Sequence, residues 1–221
     1  MVRPRGRILE QSGDSYVKLL IGTSNAGKLA EFRAALKTLP VRLVPLSSLV
    51  TWPRIEEDGA TFEENALIKA RTLANFSGLL TLADDSGLEV EALNGAPGIY
   101  SARYSGEAGN DERNNEKLLA ELLPVPTERR NARFVCVLAL CAPGANGMGE
   151  WTVREQCEGR IALTPKGANG FGYDPLFFYP PLGKTFGELD RQAKSLVSHR
   201  GKALRKLVAF LPSLVDPIAR A

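Results

Sequence analysis

The sequence predicts an α/β fold, a mixed β-sheet flanked by helices. Three observations carry that prediction. From Val17 to Ala83, short apolar runs of buried-strand type alternate with segments of helical periodicity. Two longer strand-like runs, Ala132–Ala142 and Trp151–Glu158, flank a turn-rich stretch and read as a hairpin, so the sheet is not purely parallel. Over 221 residues, 44% are hydrophobic and 24% charged, which excludes a disordered chain, a coiled coil and a collagen. At roughly 150 residues per domain, the chain holds one domain or two lobes sharing a core.

In chain order, VKLLIGT (Val17–Thr23) is an apolar strand, and the loop SNAG leads into a helix over about Lys28–Leu39. Leu29, Phe32, Leu36 and Leu39 give that helix one apolar face, and Pro40 stops it. Val41–Leu46 is the next strand, and Trp52–Gly59 is an acidic loop. Thr61-Phe-Glu-Glu64 has the pattern of a capping box, opening a helix to about Phe76 with Gly78 as its cap. Phe62, Ala66, Ala70 and Leu73 form its apolar stripe, with Asn65 and Lys69 on a polar edge. Leu79–Ala83 is a buried strand that Asp84-Asp85-Ser86-Gly87 is expected to end. A glycine-rich loop (Asn94–Asn110), a helix (Asp111–Leu123), the hairpin, a second glycine-dense loop (Lys166–Gly172) and a helix over about Ser198–Leu211 complete the series.

Charge and cysteine content restrict the partners. Lys+Arg 28 against Asp+Glu 25 gives a net charge of +3, too small for the footprint of a nucleic-acid binder. Three cysteines (Cys136, Cys141, Cys157) without CxxC spacing read as buried reduced thiols of a cytoplasmic protein. The single histidine, His199, excludes a histidine-rich zinc site. Residues 1–16 carry three arginines and no apolar segment, so they are expected to be a flexible extension rather than a signal peptide, with residues 17–221 as a single domain. No apolar run approaches the roughly 20 residues of a membrane span.

Three clusters carry chemistry. Gly22-Thr23-Ser24-Asn25-Ala26-Gly27-Lys28 satisfies GxxxxGK between a strand and a helix, but Leu29 stands where a P-loop needs a magnesium-binding hydroxyl. Glycine-rich amides, a helix N-terminus and a lysine still favour a phosphate, the alternative being an ordinary strand-to-helix turn. Asp84-Asp85, together with Glu56-Glu57-Asp58, could hold Mg²⁺ beside a phosphate or activate a water. Phe171-Gly172-Tyr173-Asp174, Lys194 and His199-Arg200 combine an aromatic ring able to stack a base with groups able to read its edge.

From Leu20 to about Leu211 the sequence resembles the pyrophosphatases of noncanonical purine nucleoside triphosphates, the inosine/xanthosine triphosphate family. The matching motifs are TSNAGK (Thr23–Lys28), TFEENALIKA (Thr61–Ala70), ADDSGLEVEALNGAPGIYSARYSG (Ala83–Gly106), GFGYDP (Gly170–Pro175) and SHRGKAL (Ser198–Leu204). The resemblance implies a two-lobed α/β fold with the active site in the cleft between the lobes. It implies a Mg²⁺-dependent homodimer that hydrolyses ITP, dITP or XTP to the monophosphate and pyrophosphate, cleansing the nucleotide pool. By motif, Thr23, Ser24, Asn25, Ala26, Gly27 and Lys28 would bind the triphosphate. Asp85 would be proton acceptor and metal ligand, with Ser86 beside the substrate. Glu56 would be the second metal carboxylate, or else the adjacent Glu57, and Lys69, with Asn65, would face the phosphates. Phe171, Gly172, Tyr173, Asp174, Lys194, His199 and Arg200 would enclose the base and sugar. Gln192-Ala193 stand where the family often has acidic residues. Two other readings remain from the residues: a nucleotide-binding regulatory module without turnover, and a P-loop kinase, which Leu29 disfavours.

Overall fold

Val17–Ile21 forms the first strand (β1), and its last three residues, Leu19, Leu20 and Ile21, are fully buried. The computed structural model describes residues 16–106, 110–144 and 149–219. The remaining elements are α1 (Ala26–Leu36), β2 (Val41–Pro45), α2 (Phe62–Ser77), β3 (Leu80–Val90), α3 (Asp111–Glu121), β4 (Asn131–Cys141), β5 (Glu150–Ile161), β6 (Phe177–Tyr179), β7 (Lys184–Thr185), α4 (Arg191–Val197) and α5 (His199–Ala219). Seven strands make one sheet in the order β2-β1-β3-β4-β5-β6-β7. β1 runs parallel to β2 and β3, whereas β6 is antiparallel to β5 and β7, so the sheet is mixed as expected. The expected extension, residues 1–16, lies outside the described residues except for Tyr16, and so does most of the expected hairpin turn.

The chain divides into two compact units, and the boundaries fall inside β3, β4, β5 and α5. Among the described residues, the first unit comprises 16–84, 138–144, 149–153 and 204–219, and the second 85–106, 110–137 and 154–203. In the first, Leu20, Leu46 and Leu73 form a buried cluster. In the second, Phe134, Phe177 and Phe186 are the aromatic heart of a larger core, with ring centroids 4.5–5.9 Å apart. Cys136, Cys141 and Cys157 are buried thiols outside any disulfide, and burial pushes Cys141 and Cys157 up to about 11, which suppresses the nucleophilic thiolate. No helix of the described residues is long and apolar enough to cross a membrane.

Five local expectations are corrected. α1 begins at Ala26, not Lys28, because the Asn25 side chain accepts from the Lys28 amide and caps the helix. It ends at Leu36, where a tighter turn from the Leu39 amide to the Leu36 carbonyl precedes Pro40. Residues before proline avoid the helical region, which accounts for the early stop. α2 has the expected Thr61 cap and the left-handed Gly78 at its end, but Glu64 reaches the Ala60 amide rather than that of Thr61. Asn65 lies on no polar edge: it is fully buried and accepts from the Gly59 amide. Most consequential is β3, which does not end at Asp84 but runs on through Asp85 and Ser86, because Leu88 and Val90 beyond them are core residues.

Candidate active site

The first unit presents the glycine-rich loop as an exposed helix start. Ser24, Asn25 and Ala26 are exposed, while the Thr23 hydroxyl accepts from the Asn25 amide at 3.2 Å and fixes the turn. Amides at the start of α1, together with the helix dipole, favour an anion there. Lys28, the third residue of α1, places its ammonium 2.9 Å from the Asp84 carboxylate, whose side chain is 1% exposed. A buried carboxylate is tolerated when a cation compensates it, and Lys28 does so from the head of the phosphate-type loop. In α2, Lys69 meets Glu57 at 2.8 Å, one turn beyond the buried Asn65. Of the two acidic candidates in the preceding loop, Glu57 is thus the one engaged with Lys69, and Glu56 is exposed.

The second unit gathers the other predicted residues around Phe171. The Lys194 ammonium lies 4.7 Å from the centre of the Phe171 ring and the Arg200 guanidinium 5.6 Å, both within cation–π range. Lys194 also pairs with Asp174 at 2.5 Å, and Asp174 accepts from the Phe171 amide at 2.9 Å. This carboxylate therefore folds the loop back on itself. Gly170 permits that closure: its φ is +81°, and a Cβ there would stand 1.9 Å from the Asp174 carboxylate. Arg200, 2% exposed, donates to the Ser86 hydroxyl at 2.7 Å, linking the start of α5 to β3 one residue beyond Asp85. His199 is stacked on Phe134 at 4.6 Å. The buried Tyr173 phenol donates to the Ser101 carbonyl, and burial pushes its ionisation upward, so at neutral pH it is a fixed donor.

The oxygen-only chemistry of Asp84, Asp85, Glu56 and Glu57 suits a hard divalent cation. Among the described residues, no group of three His, Cys, Asp or Glu side chains is placed to cage a metal.

The Ham1 family profile matches residues 19–210, nearly the whole described chain. The chain belongs to the Ham1 family. Among its Ham1-type relatives, the dITP/XTP pyrophosphatase of Geobacter sulfurreducens is 53% identical, covering 86% of this chain and 94% of that protein. The dITP/XTP pyrophosphatase of Exiguobacterium sibiricum is 48% identical over 90% of this chain and 99% of its own length. Among solved structures, a HAM1 protein from Coxiella burnetii superposes with a TM-score of 0.82 at 42% identity, covering 89% of this chain and 99% of that one.

Within this Ham1 fold, the predicted residues fall into two local groups. Thr23–Lys28, Glu56, Glu57, Asn65 and Lys69 belong to the first unit, and Asp85, Ser86, Phe171–Asp174, Lys194, His199 and Arg200 to the second. Sequence reasoning missed the residues that hold the loops. Ser101 accepts from the Leu88 amide and donates to the Gly98 carbonyl, and the buried Asn114 accepts from the Ser105 amide. Ser101 inside a glycine-rich motif and Asn114 inside a strongly polar helix carry no periodic signal that would single them out.

Proposed function

We propose that this chain hydrolyses ITP, dITP and XTP, with water, to the corresponding monophosphate and pyrophosphate. The observation that carries the reading is the Lys28–Asp84 pair at the exposed start of α1, directly before Asp85. It combines a phosphate-type helix terminus with a cation and, at the next residue, a carboxylate able to take a proton from water. Thr23–Lys28 bind the triphosphate, Lys69 faces it from α2, and Asp85 accepts the proton of the attacking water. Phe171–Asp174, Lys194, His199 and Arg200 enclose the base and sugar, and Ser86, oriented by Arg200, lies beside the substrate. Asp85 with Glu56 or Glu57 would hold Mg²⁺, which supplies charge neutralisation at the phosphates. The resemblance implies a homodimer in the cytoplasm.

Incubation with ITP and Mg²⁺ tests this reading: IMP and pyrophosphate should accumulate one to one. ITP returned intact would mark a nucleotide-binding module, and phosphoryl transfer to an acceptor a kinase. In the same assay, Lys28→Ala should raise KM for ITP by roughly tenfold or more, the scale of losing a charge-assisted contact. Binding of IMP, with fewer anionic oxygens, should weaken much less. Equal losses for both ligands would show that Lys28 does not serve the phosphates.

A further inference from the structure

The loop that carries Phe171 is held from outside by a helix to which no role has been given. Two residues one turn apart on α3 grip the two backbone polar groups of a single loop residue. The Gly172 amide donates to the Asp111 carboxylate at 2.6 Å, and the Gly172 carbonyl accepts from the Asn115 side-chain amide at 3.0 Å. Their spacing of four puts both side chains on one helix face, where they meet the two polar groups of Gly172 together. Asp111 stands in the first turn of α3, where a carboxylate is favoured by the helix dipole.

Two observations separate this clamp from ordinary packing. A cavity of about 450 Å³, lined among others by Asp111, Asn115, Leu119, Pro165, Phe171 and Pro175, adjoins the loop on the α3 side. On that side the loop has room to shift, so hydrogen bonds rather than close-packed side chains fix it. In addition, the Asn115 side-chain oxygen is buried with no hydrogen-bond partner among the described residues. A buried polar group left half-satisfied carries a free-energy cost that a side chain kept only for packing would avoid.

We propose that Asp111 and Asn115 are positioning residues for base recognition. They hold the Gly172 backbone on both sides of its Cα so that Phe171 keeps its place against Lys194 and Arg200. The inference rests on the reading that Phe171–Asp174 enclose the base. A clamp of this kind sets the fit of the base and leaves the phosphate chemistry alone, since supporting contacts control the precision of the groups they hold.

The test compares IMP with inorganic tripolyphosphate, which has no base, as competitive inhibitors of ITP hydrolysis. Asn115→Asp places an acceptor against the Gly172 carbonyl, and Asp111→Ala, at an exposed helix start, removes the other half without risk to the core. Each should raise KM for ITP and the inhibition constant of IMP by about tenfold, the scale of one lost buried contact. The tripolyphosphate constant and kcat should stay within about twofold of wild type on the same scale. Asp111→Asn, which keeps an acceptor, should recover most of the IMP affinity. Parallel loss for IMP and tripolyphosphate, an unchanged IMP constant, or a fall in kcat alone would overturn the clamp. Wild-type protein is the control. If it neither binds IMP nor hydrolyses ITP, the functional reading fails and the clamp with it. If it does both while the variants match it, only the clamp fails.

Discussion

Asp85→Asn should leave a folded protein whose turnover of ITP falls roughly 10²- to 10⁴-fold, the usual worth of a positioned general base. The substitution preserves the shape of a side chain that is 7% exposed inside β3, so the core gains no cavity. It removes the charge and the basicity that a proton acceptor needs. The preceding residue makes the outcome specific. Asp84 has its carboxylate matched by Lys28 at 2.9 Å, so its charge is committed to that pair. The comparison variant Asp84→Asn should therefore act through Lys28, altering substrate affinity more than the chemical step. Steady-state kcat and KM with a thermal melt for each variant separate these effects. Near-wild-type kcat in folded Asp85→Asn protein would remove Asp85 from the mechanism.

The second large effect concerns base choice. Hypoxanthine and xanthine present a 6-oxo acceptor, whereas adenine presents a 6-amino donor. Arg200 has donors only, and it is buried beside Phe171 with one guanidinium nitrogen on the Ser86 hydroxyl. A site lined by such donors satisfies an oxo group and leaves buried groups unpaired against an amino group. The cost is on the order of 1–3 kcal/mol per mismatch, or roughly 5- to 150-fold. Arg200→Met keeps an unbranched apolar stem in the space and deletes the donors, so it is a gentler probe than truncation to alanine. It should lower kcat/KM for ITP far more than for ATP and so narrow the ratio between them. A proportional fall in both would show that Arg200 serves Ser86 and the fold without reading the base.

The elements with strong local signals were legible in the sequence, and those set by distant partners were not. Phe62, Ala66, Ala70 and Leu73 recur at helical spacing, and all four are buried in α2. Thr61 and Gly78 are end signals whose chemistry is local, and both cap that helix as read. β3 misled because two aspartates look like a strand end, whereas Asp84 is compensated inside the strand by Lys28 from α1. Asn65 misled for the same reason, since its burial depends on the Gly59 amide six residues back. β6 and β7 have three and two residues, too few to show a period, and α4 is seven residues, too short for its core-facing Ala193 and Val197 to stand out as a stripe. At the site, residue types gave the candidates, whereas the tie between Arg200 and Ser86, 114 positions apart, appears only in the fold.

The central expectation is that this chain cleaves deaminated purine triphosphates between the α- and β-phosphates while sparing the common purine nucleotide. The direct measurement is a competition: equal concentrations of ITP and ATP, Mg²⁺ in excess and a catalytic amount of protein, followed by phosphorus NMR. ITP should disappear with IMP and pyrophosphate appearing in equal amounts, while ATP persists until ITP is nearly gone. Consumption of ATP at the same rate, or orthophosphate with the nucleoside diphosphate in place of pyrophosphate, would contradict it.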